Sequence, residues 1–138
     1  MGMSREAIRE FLEEKWIAVL GINRDGSPPQ LVPVWYLYDG EVLWIMSEKR
    51  VPKIANIRRD PKLTLCIDDP AYPYRGVVVY GAATLTEEDL VERRRAIARR
   101  YLGKKKGDAY VAEPRPLGSI LIRLVPEKLY SWDYRAMT

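Results

Sequence analysis

The chain is expected to be mainly β, with six antiparallel strands closing into a barrel and helices on its flank. Three observations predict this. Short apolar runs recur from residue 16 to residue 125, and none is long enough to be a core helix of its own. Turn chemistry separates neighbours, with Asn23-Arg24-Asp25-Gly26 after the first run and Asp39-Gly40 after the second. The run 75–85 is apolar or small on both faces: Val77, Val79, Gly81, Ala83 and Leu85 alternate with Gly76, Val78, Tyr80, Ala82 and Thr84. A strand covered on both sides belongs in a barrel or sandwich, and short β-connections make it antiparallel.

The elements follow in order. Ser4 caps a first helix whose apolar residues Ile8, Phe11 and Leu12 keep the i, i+3, i+4 spacing. Residues 16–22 form the first strand and 30–38 the second, with Pro33 inside it as a sign of an edge or a bulge. Residues 41–46 return from the Asp39-Gly40 hairpin and end at Ser47. A short helix starts near Pro52, which has no N–H to lose in a first turn. Asp60-Pro61 stops it, and residues 62–68 are the fourth strand. After the Pro-rich loop 69–74 comes the long strand 75–85, in which Gly81 marks a bend or a close approach. Thr86-Glu87-Glu88-Asp89 reads as a capping box for a helix that runs to Leu102 and stops at Gly103. Residues 104–117 are expected to be a long loop at a barrel end, mobile at 104–107. Residues 118–125 are the last full strand, interrupted by Pro126, with 128–132 a short extension. No linker, repeat or low-complexity segment divides residues 1–138, so one domain is expected.

Composition narrows the chemistry. The sequence is 47% hydrophobic and 30% charged, the balance of a globular chain. No run approaches a membrane span, and charges interrupt the first fifteen residues where a leader would be apolar, so a cytoplasmic location is expected. Histidine is absent, which removes the usual general base and the commonest metal and haem ligand. Cys66 is the single cysteine, set in an apolar strand and expected to be a small buried hydrophobe rather than a nucleophile. No metal site is expected. Chemistry in such a chain is expected to come from a bound cofactor. A net charge of +4 points to an anionic partner.

The most informative stretch is 46–60. Between Lys49 and Lys62 there are six basic residues and one acidic one. Lys53 and Asn56 share one helix face, while Ile54 and Ile57 share the face that packs inward. A hydroxyl at a strand end (Ser47), free N–H groups at a helix start and a lysine on the first turn form a phosphate cradle. The alternative is a solvated basic helix.

Together, Pro-Val-Trp-Tyr (33–36), Lys-Ile-Ala-Asn-Ile-Arg-Arg-Asp-Pro (53–61) and Arg-Gly-Val-Val-Val-Tyr-Gly (75–81) resemble the FMN-binding split β-barrel superfamily, the pyridoxamine 5′-phosphate oxidase-like proteins. The tail Ser-Trp-Asp-Tyr-Arg (131–135) resembles its flavin/deazaflavin oxidoreductases of group B, many of which use coenzyme F-420. The resemblance implies a six-stranded split barrel and a homodimer with two cofactor sites at the subunit interface. It implies FMN or F-420 as cofactor, with Ser47 and Lys53 holding phosphate and Asn56 beside them. The ring would lie along Val32, Pro33, Val34 and Trp35, close to Met46, with Arg75 and Trp132 near it.

Two departures stand out. The strand 30–37 carries no charged residue, where pyridoxamine phosphate oxidases have a phosphate-binding arginine and a lysine, and Gly76 replaces their glutamine. Their substrate-binding C-terminal arginine and histidine pattern is also missing. The expected activity is therefore not pyridoxine phosphate oxidation but hydride transfer to a small unsaturated or quinone-like molecule. Coenzyme F-420 has a phosphodiester and an oligoglutamate tail, and Lys49, Arg50, Arg58 and Arg59 are expected to suit that tail. A non-catalytic flavin or F-420 carrier is the competing reading. A nucleic-acid-binding barrel is disfavoured, because the basic runs fall on helices and loops while the aromatics fall in apolar strands.

Overall fold

The computed structural model describes residues 2–135. The elements are α1 (Arg5–Glu13), β1 (Ala18–Arg24), β2 (Ser27–Val34), β3 (Leu37–Tyr38), β4 (Leu43–Glu48), α2 (Pro52–Arg59), β5 (Lys62–Asp69), β6 (Arg75–Thr86), α3 (Leu90–Leu102), α4 (Lys104–Ala112) and β7 (Ser119–Asp133). Seven strands form one antiparallel sheet in the order β2-β1-β5-β6-β7-β4-β3. The two edge strands, β2 and β3, are consecutive in sequence. Three Cα steps separate Val34 from Leu37, a reach of at most about 11 Å. The sheet must therefore curl until its edges almost meet. No ladder joins them, so the barrel is split at this point rather than closed.

The seventh strand arises where one was expected. The run 30–38 breaks at Trp35-Tyr36, which leave the ladder, and β3 restarts against β4. Inside the curl, Ala18, Leu20 and Ile22 of β1, Leu63, Leu65 and Ile67 of β5, and Val77 and Val79 of β6 form one core with Phe11, Leu12, Ile54 and Ile57. A second cluster, Val42, Trp44, Ile97 and Leu121, holds α3 against the outer side of β4 and β7.

Local chemistry explains most boundaries. Ser4 Oγ accepts from the Ala7 N–H at 3.1 Å, the expected cap of α1. At the other end of α1, Arg100 of α3 donates to the carbonyls of Glu13 and Glu14. Gly81 is a close approach: an added Cβ would collide with the Val125 carbonyl. The register slips there, from Tyr80 opposite Lys128 to Gly81 opposite Pro126. Glu127 is the extra residue of a bulge, and this lets β7 pass Pro126 without ending.

Three expectations give way. Thr86 is still paired with Leu121, so it cannot cap a helix; its hydroxyl accepts from the Glu88 N–H, and α3 starts after Asp89 with no side-chain cap. Residues 104–107 are not a loop but the start of α4. Asp108 gathers Arg99 (2.6 Å) and Lys104 (3.8 Å), and Gly107 lets its turn sit against the Arg99 backbone, where an added Cβ would lie 2.7 Å from the nitrogen. Cys66 faces outward and is half-exposed, although burial pushes its thiol pKa up and keeps it protonated.

Candidate functional site

Three adjoining hollows meet at Lys53. The first, about 290 Å³, runs along Ile17, Val32, Pro33, Val34 and Trp35 to Met46, Lys53 and Tyr110. It lies at the split, between edge strand β2, the end of β4 and helix α4. The second, about 210 Å³, shares Met46, Lys53 and Tyr110 and adds Ser47, Glu48, Arg94, Arg115 and Ser119. The third, about 270 Å³, is bounded by Gln30, Glu48, Val51, Pro52 and Lys53.

Lys53 reaches this junction because Ile54 and Ile57 are pinned in the core, which turns the opposite face of α2 toward β4. Among the described residues Lys53 makes no hydrogen bond and no ion pair. Burial lowers its pKa from the ordinary lysine value, and the nearby Glu48 carboxylate opposes that shift without bonding to it. No side chain caps the first turn of α2, whose cap position is Val51. Ser47 Oγ donates to the Glu48 carbonyl at 2.9 Å. Its rotor keeps lone pairs, and an alternative donor direction, toward the hollow.

An aromatic wall closes the groove on the α3–α4 side. Trp35 stacks on Tyr101 with centroids 5.0 Å apart and planes 8° from parallel, and Tyr110 leans on the indole at 5.2 Å. The Arg115 guanidinium lies 4.5 Å over the Tyr110 ring and donates to the Tyr110 carbonyl at 3.2 Å. Arg94, half-buried on α3, has no bonded partner among the described residues. Burial and the Arg115 charge lower its pKa from the ordinary arginine value.

Of the residues singled out in the sequence, Val32, Pro33, Val34, Trp35, Met46, Ser47 and Lys53 line the joined hollows. Three do not. Asn56 accepts a 2.7 Å bond from Arg59. Arg75 is tied to Asp69 (3.1 Å) and Glu14 (3.3 Å), over the rings of Phe11 and Trp16. Trp132 lies across Gly76, so closely that a Cβ there would strike the indole. Of the cations expected to serve a coenzyme tail, three are engaged: Lys49 pairs with Glu87 at 2.6 Å, Arg50 donates to the Pro116 carbonyl, and Arg59 donates to Asn56 and to the Asn23 carbonyl. Arg94, Tyr110, Arg115, Ser119 and Ile17 are among the lining residues that the sequence did not single out. Tyr110 and Arg115 were hidden by reading 104–117 as loop, and Arg94 by its setting among five arginines of one helix.

No three histidine, cysteine or carboxylate side chains among the described residues group to hold a metal ion. No helix there is long and apolar enough to cross a membrane.

A curled antiparallel sheet, split beside a groove that ends at a half-buried lysine, defines the class of pyridoxamine phosphate oxidase-like split barrels. The sequence profile of the pyridoxamine 5′-phosphate oxidase family matches residues 4–133, and the chain belongs to that family. No curated protein matches the sequence significantly. Among solved structures, a conserved hypothetical protein from Mycobacterium tuberculosis is similar at 27% identity and a TM-score of 0.84, covering 98% of this chain and 88% of that one. An F-420 reductase shares the fold at 22% identity and a TM-score of 0.77, covering 92% and 98%. A FAD-binding protein from Mesorhizobium loti shares it at 21% identity and a TM-score of 0.71, covering 95% of both.

Proposed function

We propose that the protein is a homodimeric oxidoreductase that binds coenzyme F-420 or FMN and transfers hydride to a small unsaturated or quinone-like molecule. The observation that carries this reading is Lys53: a half-buried ammonium with no hydrogen-bond or ion-pair partner among the described residues, placed where a groove lined mostly by apolar side chains ends. An unpartnered cation in such a position is costly unless an anion completes it. The donor set fits a phosphate, with Lys53, Ser47 and the uncapped turn of α2 on one side. The groove along Val32, Pro33, Val34 and Trp35 fits an extended ring.

When bound, a deazaflavin or flavin supplies the hydride chemistry at its own ring. The chain's part is to bind, orient and keep out water. Lys53 and Ser47 fix the anionic arm through charge-assisted bonds worth roughly 1.5–3 kcal/mol each. Val32, Val34 and Met46 offer apolar contact, and the Trp35–Tyr101–Tyr110 wall holds its shape because Trp35 is stacked on Tyr101 and Tyr110 leans on the indole. The uncharged strand 30–37 offers no second phosphate anchor, and this supports a substrate other than pyridoxine phosphate.

The dimer is supported by the outer face of the sheet. Pro33, Val19, Cys66, Val78 and Tyr130 lie opposite one another across five strands and point away from the core. Leu31 is 69% exposed, Tyr130 59% and Ile17 52%. A contiguous apolar face of this kind is covered by a partner. Since Ile17 and Pro33 also line the groove, a second copy seated here borders the cofactor site.

The reading is tested by titrating the purified protein with FMN and F-420 by fluorescence, then supplying the reduced coenzyme with menadione-like and enone acceptors. Binding with turnover is expected, from a dimer in sedimentation. Affinity for neither coenzyme overturns the reading. Binding without turnover on any acceptor makes the protein a carrier, and a monomer removes the dimeric part.

A further inference from the structure

We propose that Arg94 and Arg115 hold a carboxylate, making the site a receptor for two anionic groups, one at Lys53 and one across Tyr110 from it. This rests on the reading of Lys53 as a phosphate anchor, and names what occupies the adjoining hollow.

The arginines of α3 differ sharply in what they do. Arg93 lies 3.7 Å over the Trp44 ring and 3.8 Å from Asp89. Arg95 and Arg99 reach Asp108. Arg100 serves the carbonyls at the end of α1. Arg94 alone of these five has no hydrogen bond or ion pair among the described residues, and it turns into the hollow that contains Lys53. Arg115 arrives from the segment before β7 and is braced on the Tyr110 ring, so its planar head is held in place before any ligand arrives.

Three cations therefore border about 210 Å³ of space, with Glu48 as the one carboxylate on its wall. The Arg115 charge disfavours that of Arg94, and no carboxylate among the described residues pairs with either guanidinium. Fold stability would favour an apolar residue or a carboxylate at one of these positions. A pair of planar guanidinium groups instead matches a carboxylate, which two such forks can bind in bidentate fashion. Ser119, at the start of β7, adds a hydroxyl to the same wall.

A carboxylate could reach this place in two ways. It could belong to the anionic extension of the coenzyme whose phosphate sits at Lys53, or to an acidic substrate lying beside the coenzyme. The chemistry is the same, and the sources are separable.

The experiment compares wild type with Arg94→Gln, Arg115→Gln and the double variant. One arm measures affinity for F-420 carrying its glutamates and for F-420 stripped of them. The other measures KM for a carboxylate-bearing enone and for its primary amide. Loss of charge-assisted bonds should weaken the carboxylate form about tenfold or more beyond the loss seen for its control. A differential in the first arm assigns the carboxylate to the coenzyme, and one in the second assigns it to the substrate. The absence of a differential in both overturns the proposal. Arg94→Lys should recover part of the loss. Arg94→Gln removes no bond of the fold, so it stays interpretable if Arg115→Gln unfolds. Lys53→Gln separates this from the earlier reading. If coenzyme affinity depends on Lys53 and neither arm responds to the arginines, only the second anionic position fails. If the arginines discriminate and Lys53 does not matter, the phosphate anchor has been misplaced.

Discussion

Tyr101 holds the break beside Trp35 open. Its ring is stacked on the Trp35 indole at 5.0 Å, and its hydroxyl accepts from the Tyr36 N–H at 3.1 Å while donating to the Trp16 carbonyl at 2.5 Å. Tyr36 is fully buried, so a helix side chain supplies the partner that a neighbouring strand would otherwise provide. The split of the barrel and the wall of the groove thus depend on one residue of α3.

Two substitutions separate these roles. Tyr101→Phe keeps the stack and orphans the Tyr36 N–H. It should cost about 1–3 kcal/mol of stability with little change in coenzyme affinity. Tyr101→Ala should destabilise further and also weaken coenzyme binding about tenfold, because the indole loses its support. Chemical denaturation and fluorescence titration read the two effects.

Lys53 gives a pH signature. Burial lowers its pKa in the free protein, and a bound anion favours the charged form and raises the pKa again. Above the free-protein value, binding must therefore take up a proton. Affinity should fall as pH rises through that value, by up to about tenfold per unit, starting below the ordinary lysine value of 10.5. Lys53→Arg keeps its charge throughout and should abolish the fall. Coenzyme titrations across alkaline pH check this.

Gly107→Ala should be destabilising even though alanine is the better helix former. Its Cβ would lie 2.7 Å from the Arg99 nitrogen and 2.8 Å from the Arg99 Cα, backbone atoms that cannot swing aside. Prising α4 from α3 should cost about 1–3 kcal/mol. It should also displace Tyr110, three residues on, so coenzyme affinity is expected to drop with stability. A gain in melting temperature would show that the two helices are not held this closely.

Arg75→Ala should act on stability. The side chain is mostly buried, bridges Asp69 and Glu14, and lies over Phe11 and Trp16. Its loss takes the bonded cation from those carboxylates and should cost about 2 kcal/mol. Melting curves measure it, and a variant as stable as wild type would contradict this placement.

Much of this was legible in the chain. Ser4, Pro52, Asp39-Gly40 and the alternation 75–85 act locally, so each marked its own element. The stretch 32–35, Ser47 and Lys53 could be grouped because a short helix follows a strand end within a few residues. What escaped depends on distant partners. Nothing near Tyr36 announces that Tyr101 will take its N–H, so the run 30–38 read as one strand. Residues 104–107 read as loop because their helix depends on Asp108 meeting Arg99 and on a glycine fitting against a neighbouring backbone. Pro126 read as an interruption of the last strand because a bulge is visible only once Gly81 is opposite it. Arg94 and Arg115 are 21 positions apart and meet only after α3 and α4 fold back on each other.

The most direct test is a crystal structure of the protein with F-420 or FMN bound. The coenzyme's phosphate is expected within about 3 Å of the Lys53 Nζ, with the ring lying along residues 32–35. A phosphate held elsewhere, with the Lys53 ammonium facing only water, would contradict it.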